Sequence, residues 1–355
     1  MSDTTSPRIG SLFSGIGGLD LGVVAALGGT VAWHVEREPA PGLVLEQRFP
    51  GVTNFGDIND VQWADVEPVD ILTGGFPCQD VSYAGLRRGL RPDTRSGLWS
   101  QFAYAISHLD PELVIIENVS GLLTAHTLSD TQPDVWNMGE RGDRPTINAF
   151  GAVLRDLAQM GYDARWGSVL ASEAGAPHKR ERVFIVAYRD RDTLRRYART
   201  SLECQAWTDE SDKPRTDREP QTHRVGRTPQ TVPHSTRAGL GESIGEPRPR
   251  RDTGTRVTAR PTQHYPRHHS TQWGDYEPAI ARWEAVLGRP VPVPYKPDGK
   301  NGQDRISVEF VEWMMGFDED YVAALDLSYN AKHRALGNAV VPQQAALAIR
   351  QLVQQ

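Results

Sequence analysis

From Ile9 to about Tyr188, short apolar runs alternate with stretches whose apolar residues recur every three or four positions. The runs at Arg8–Phe13, Thr30–Val35, Val69–Thr73, Leu113–Glu117, Ala164–Leu170 and Arg182–Tyr188 predict strands. The periodic stretches at Gly18–Leu27, Pro41–Phe49, Gly97–Leu109 and Ile147–Met160 predict helices. Strands alternating with helices of ten or more residues indicate an α/β fold, a mostly parallel sheet covered by helices on both faces.

Over residues 190–272 the apolar period disappears. Arg, Thr, Pro, His, Ser and Gly dominate, as in Pro247-Arg248-Pro249-Arg250-Arg251. Such a stretch buries too little surface to offset its ordering entropy, so an extended, partly disordered insert is expected. Helical periodicity returns at Glu277–Leu287 and Val308–Met315, and a last helix is expected after Pro342. The expected division is therefore 1–188, a basic insert 189–300, and a segment 301–355 that rejoins the first.

Charge sharpens this division. The 355 residues carry a net −6, yet residues 189–271 hold 17 Lys/Arg against 11 Asp/Glu, leaving 22 against 34 elsewhere. A basic segment on an acidic body fits a protein only one part of which meets phosphates, although a solvated insert would look the same. There is no run of eighteen apolar residues and no signal-peptide layout in Met1–Pro7. The two cysteines, Cys78 and Cys204, form neither a disulfide framework nor a metal site, which suggests a reducing cytoplasm and no bound metal.

Three strand ends carry candidate chemistry. The first is Leu12-Phe13-Ser14-Gly15-Ile16-Gly17-Gly18-Leu19, a strand entering a glycine-rich turn and then a helix. It lacks the Gly-Lys-Ser/Thr of a phosphate loop, and Asp20 stands where a dinucleotide fingerprint has its third glycine. About half of such turns are only tight turns. Glu36, at the end of the second strand, is placed to accept from ribose hydroxyls. Asp57 could lie near an adenine, but a turn or helix cap is the more usual role for such a residue. A nucleoside without a phosphate cradle suits S-adenosyl-L-methionine.

The second is Gly74-Gly75-Phe76-Pro77-Cys78-Gln79-Asp80-Val81-Ser82. A lone cysteine is more often inert and buried, but glycines and proline around Cys78 describe a shaped loop at a strand's carboxyl end. The third is Ile115-Ile116-Glu117-Asn118-Val119, whose acid would hold or donate a proton if its pKa is raised.

Together these residues resemble the C5-cytosine-specific DNA methyltransferases of bacteria and phages. Gly74–Gln79 and Glu117-Asn118-Val119 are similar to that family's two catalytic motifs, and Phe13–Gly18 to its cofactor loop. Pro177-His178-Lys179-Arg180-Glu181-Arg182 resembles its Gln-x-Arg-x-Arg motif, with His178 in place of the glutamine, and Gly337-Asn338-Ala339-Val340 its C-terminal cofactor motif. Ser11 stands where many members carry an acid. The motifs keep the family's order, and the basic insert falls where the family places target recognition.

The resemblance implies a Rossmann-like methyltransferase sheet, S-adenosyl-L-methionine as cofactor, and double-stranded DNA as partner. It assigns Cys78 as nucleophile toward C6 of a flipped cytosine, with Glu117, Arg180 and Arg182 completing the catalytic group. For the cofactor it implies Phe13, Gly15, Gly17, Gly18, Leu19, Glu36, Asp57, Ile58, Pro77, Leu98, Asn338 and Val340, with Arg37 able to stack on the adenine. Gln79, Ser82, Arg87, Arg88, Arg91 and Arg95 are expected to meet DNA. A monomer in a bacterial cytoplasm is expected, host- or phage-encoded, with any cognate restriction endonuclease acting separately. A non-enzymatic relative would lack Cys78 or Glu117. An RNA-directed relative would need a short recognition segment, and an amino-methyltransferase an Asp/Asn-Pro-Pro-aromatic motif that does not occur here. An oxidoreductase fails on the glycine pattern.

Overall fold

The computed structural model describes residues 6–76, 97–123, 149–211, 273–299 and 302–355, the side chains of 205–211 excepted. Seven strands form one sheet: β1 (Arg8–Leu12), β2 (Thr30–Val35), β3 (Thr53–Asn54), β4 (Ile71–Gly74), β5 (Leu113–Val119), β6 (Asp163–Leu170) and β7 (Glu181–Tyr188). Their order is β3-β2-β1-β4-β5-β7-β6. The first five are parallel, while β7 runs antiparallel to both β5 and β6. The chain winds outward from β1 to β3 and returns on the other side of β1 as β4. The order reverses between β1 and β4, so the loops leaving them diverge and open a crevice at the carboxyl ends.

Both faces are covered, which is why central strands read as unbroken apolar runs: Ile71–Gly74 and Leu113–Ile116 are buried throughout. On one face α1 (Gly18–Leu27), α5 (Arg191–Ser211) and α9 (Pro342–Gln354) bury Val23, Leu194, Tyr197, Ile349 and Leu352 against Ile9, Ile71, Ile115 and Phe184. On the other, α3 (Leu98–Leu109) and α4 (Ala149–Gln159) bury Trp99, Phe102, Ile106, Val153 and Leu157 against Leu12, Leu72, Val114 and Ile185. The helix α2 (Pro39–Arg48) follows β2. The sheet and two-sided layering expected from periodicity are present, with most ends displaced by one or two residues.

Residue 190 does not begin an extended segment. Arg191–Ser211 is a helix, started by Asp190, whose carboxylate accepts from the Thr193 amide at 2.7 Å. Leu194, Tyr197 and Ser201 are buried at spacings of three and four. Tertiary burial of this narrow stripe holds a helix whose composition is mainly polar. The segment 212–272 lies outside the described residues.

After residue 273 the chain rejoins the compact unit that contains the sheet. Here α6 (Glu277–Leu287), α7 (Val308–Met314) and α8 (Tyr329–Asn338) bury Trp283, Trp313 and Leu336 with Ile16 and Val44. The Trp283 indole donates to the Trp313 carbonyl at 2.8 Å. A short hairpin, β8 (Tyr295–Lys296) with β9 (Arg305–Ile306), precedes α7. The two-residue strands are too short to show a period, and α8 is too polar to show a full apolar stripe.

Candidate active site

Where β1 ends, Phe13 takes a left-handed conformation (φ 52°), strained by about 1–3 kcal/mol for a residue with a side chain. Gly15 is also left-handed (φ 56°), and nothing lies within 4 Å of where its Cβ would be. Its backbone therefore faces open space. Gly18 serves another purpose: a Cβ there would collide with the Val340 carbonyl, so the turn and the C-terminal motif pack backbone to backbone. Gly17 caps α1, and Leu19 is buried beneath the helix start.

Glu36 leaves the end of β2 into the same space. Its Oε2 accepts from the Gly15 amide at 2.8 Å and its Oε1 from the Glu38 amide at 2.7 Å. Burial pushes its carboxyl above the usual carboxylate range, and the two amides oppose that rise. Asp57 accepts at Oδ1 from the Asn59 amide (2.9 Å) and from Asn59 Nδ2 (2.8 Å), an Asx turn of the kind its sequence suggested. Its Oδ2 lies 3.7 Å from exposed Arg37. Ile58 beside it is buried.

Across the crevice, β5 delivers Glu117, whose side chain is 12% exposed. Arg182 of β7 pairs in register with Val119, two residues along β5, and reaches across with Nε 2.8 Å from Glu117 Oε1. Oε2 points toward Gly75, where an added Cβ would come within 3.0 Å. Burial raises the Glu117 carboxyl above its usual range, against the pull of Arg182 and then Arg180. Asn118 donates from Nδ2 to the Phe76 carbonyl at 2.8 Å, tying β5 to the chain leaving β4.

Arg180 lines the same cleft as Glu117 and Arg182. It donates to the Gly337 carbonyl at 3.0 Å and to the Ala339 carbonyl at 2.9 Å. Burial and the neighbouring Arg182 lower its pKa to about 10. His178 contacts the Met314 carbonyl at 3.0 Å through Nε2, linking this loop to α7. Burial lowers its pKa.

A cleft of about 810 Å³ joins the two sides, lined by Phe13, Gly15, Glu36, Asp57, Gly75, Leu98, Glu117, Arg182 and Asn338, among others. A recess of about 60 Å³ beneath the turn adds Ser11, Gly18, Leu19 and Val340. Pro77, Cys78, Gln79, Ser82, Arg87, Arg88, Arg91 and Arg95 lie outside the described residues. Sequence reading missed the wall that α8 contributes through Ala331, Arg334 and Ala335. Its available signal was Ser328, which caps the helix by accepting from the Ala331 amide. Among the described residues, no group of three or more His, Cys, Asp or Glu could hold a metal, and no helix is long and apolar enough to cross a membrane.

A family model described as C-5 cytosine-specific DNA methylase matches residues 8–354. The chain is 33% identical over 179 residues to the Type II methyltransferase M.NgoBV of Neisseria gonorrhoeae, covering 49% of this chain and 39% of that protein. It is 35% identical over 179 residues to M.NgoBI of the same organism, covering 50% of each. M.HaeII of Haemophilus aegyptius is 33% identical over 180 residues, covering 51% of this chain and 50% of that one. The chain thus spans half or less of the length of these relatives. Among solved structures, DNMT2 of Spodoptera frugiperda superposes with a TM-score of 0.53 at 15% identity, covering 99% of this chain and 100% of that one. The Dnmt2 methyltransferase of S. pombe gives 0.51 at 15% identity, covering 98% of each chain. At these identities the likeness is one of fold.

Proposed function

The chain belongs to the C-5 cytosine-specific DNA methylases, and from that membership we propose that it methylates C5 of a flipped-out cytosine in duplex DNA, using Cys78 as nucleophile. The observation that carries this reading is Glu117, half-buried, with one oxygen on Arg182 and the other toward Gly75, across a cleft from Gly15 and Glu36.

The residues on the cofactor side fit S-adenosyl-L-methionine. Gly15 presents open backbone, and Glu36 keeps lone pairs free for ribose hydroxyls after accepting two amides. Phe13, Ile58, Leu98 and Pro77 would enclose the adenine, with Asp57 and Arg37 at its edge. Asn338 and Val340, beside the recess under the turn, would hold the amino-acid end with Gly17, Gly18 and Leu19. Bound there, the cofactor supplies an electrophilic methyl on a sulfonium.

The protein's own part is to make C5 nucleophilic. The Cys78 thiolate adds to C6, and the electron pair of the C5–C6 bond moves to C5. Glu117, whose burial lets it keep a proton above the usual carboxylate range, bonds N3 as the ring gains electron density. Arg182 steadies Glu117 and reaches the cytosine O2. C5 would then take the methyl as its bond to the sulfonium sulfur breaks, leaving a neutral thioether; a base removes the C5 proton, and expulsion of the Cys78 thiolate restores the aromatic ring. Arg180, expected among the catalytic residues, has its terminal nitrogens engaged by the Gly337 and Ala339 carbonyls. Its proposed part is to brace the C-terminal wall.

We assign DNA recognition within residues 189–300 to the basic stretch 212–272, since Arg191–Ser211 and Glu277–Leu287 pack into the body. Gln79, Ser82, Arg87, Arg88, Arg91 and Arg95 are proposed to contact DNA beside the extruded base. Bisulfite sequencing of DNA from cells expressing the full chain tests the reading. Methylated cytosines in one sequence context, absent with Cys78→Ser, are expected. No C5 methylation in cells that contain soluble wild-type chain would overturn it.

A further inference from the structure

Beneath the glycine turn lies a row of buried polar side chains that the chemistry above does not use. Ser11 of β1 is in register with Thr73 of β4 on one side and His34 of β2 on the other. Side chains at matched positions of parallel strands share one face of the sheet, and all three are buried. Asp20, from the first turn of α1, is 0% exposed and completes the cluster. Its Oδ2 accepts from Ser11 Oγ at 2.9 Å and its Oδ1 from Thr73 Oγ1 at 2.8 Å. His34 Nε2 stands 3.6 Å from Oδ2.

A carboxylate removed from water is costly to keep, and an apolar side chain would serve packing as well. The placement of this one has a consequence for the cleft. Ser11 also lines the recess under the turn, so the residue that donates to the Asp20 carboxylate borders that space. Its field reaches the turn itself. Tyr321 donates to the Ile16 carbonyl at 2.8 Å, and its hydroxyl pKa is raised first by burial and next by Asp20.

We infer that Asp20 is an electrostatic positioning residue, which favours positive charge at the mouth of the recess, where the sulfonium would adjoin the amino-acid end, and so favours the donor over its neutral thioether product. This rests on the reading of the chain as an S-adenosylmethionine-dependent enzyme. Asp20 touches no ligand and acts through Ser11 and through space. At an effective protein dielectric of about 20, one charge roughly 8 Å away shifts affinity by about thirtyfold. The effect helps the spent product leave in favour of fresh donor.

The test is calorimetric titration of the full-length chain with S-adenosylmethionine and, separately, S-adenosylhomocysteine. Asp20→Asn is expected to weaken the sulfonium ligand about thirtyfold and the thioether less than about twofold. The double variant Ser11→Asp with Asp20→Asn, which returns the charge from the strand, is expected to restore the preference. Equal losses for both ligands, or none for either, would overturn the inference. Asp20→Ser, smaller and neutral, takes the place of Asp20→Asn if the latter does not fold. A wild-type chain that binds neither ligand would instead overturn the underlying reading, and this inference with it.

Discussion

The two flanks of the cleft each present a strand-terminal glutamate, and they hold it differently. Glu36 is fixed by two backbone amides, from Gly15 and Glu38. Glu117 is held by the guanidinium of Arg182 and feels Arg180 behind it. Burial raises both carboxyls. Amides are fixed dipoles that set an orientation, and they leave the remaining lone pairs aimed outward. A guanidinium is a mobile charge that responds when its partner gains or loses a proton. On the proposed reading, the same residue type would serve as a rigid acceptor on one side and as a proton holder on the other.

The sharpest way to break the comparison is at Glu117. Glu117→Gln should lower kcat by at least about 100-fold while donor affinity, read by calorimetry, stays within about twofold. Glu36→Ala should do the reverse. We expect donor affinity to fall about tenfold through lost hydrogen bonds, with single-turnover rates at saturation nearly kept. If Glu36→Ala slowed the chemical step as much as Glu117→Gln, the two flanks would not divide the work.

A smaller effect separates the flanks by pH. A carboxyl whose folded pKa is raised stabilises the fold most below its unfolded value, roughly 4.3, and that contribution is lost as pH rises through the folded value. Wild-type stability relative to Glu117→Gln should therefore fall across that window, by about 1.4 kcal/mol per unit of upward shift, and level off above it. Urea unfolding at a series of pH values measures this; a pH-independent difference would remove the raised Glu117 from the mechanism.

The sheet was legible because β4 and β5 are buried on both faces and leave continuous apolar runs. The ends of α1 were legible because Gly17 and Gly28 mark them. Leu194, Tyr197 and Ser201 carried a helical signal too, but charged residues between them gave the stretch the look of the basic insert that follows. At the site, Glu36 and Glu117 could be found from position alone, since any acid ending a central strand enters the crevice. The parts that could not be read depend on partners far away in sequence. Arg180 gives no sign in sequence of its bonds to the distant Gly337 and Ala339 carbonyls. Asn118 looks like a motif residue until its hold on the Phe76 carbonyl is seen. Asp20 looked like a spoiled fingerprint, and only strand register reveals the hydroxyls it meets.

The close packing of Gly18 on the Val340 carbonyl also bears on how the molecule is made. One wall of the recess belongs to a segment that leaves the ribosome more than three hundred residues after the turn it supports. At ordinary elongation rates that delay is on the order of tens of seconds. Through that interval the nascent chain holds a sheet without its C-terminal brace. On the proposed reading, competence to bind the donor would arrive late in synthesis, and a chain cut before Val340 should fail to bind it.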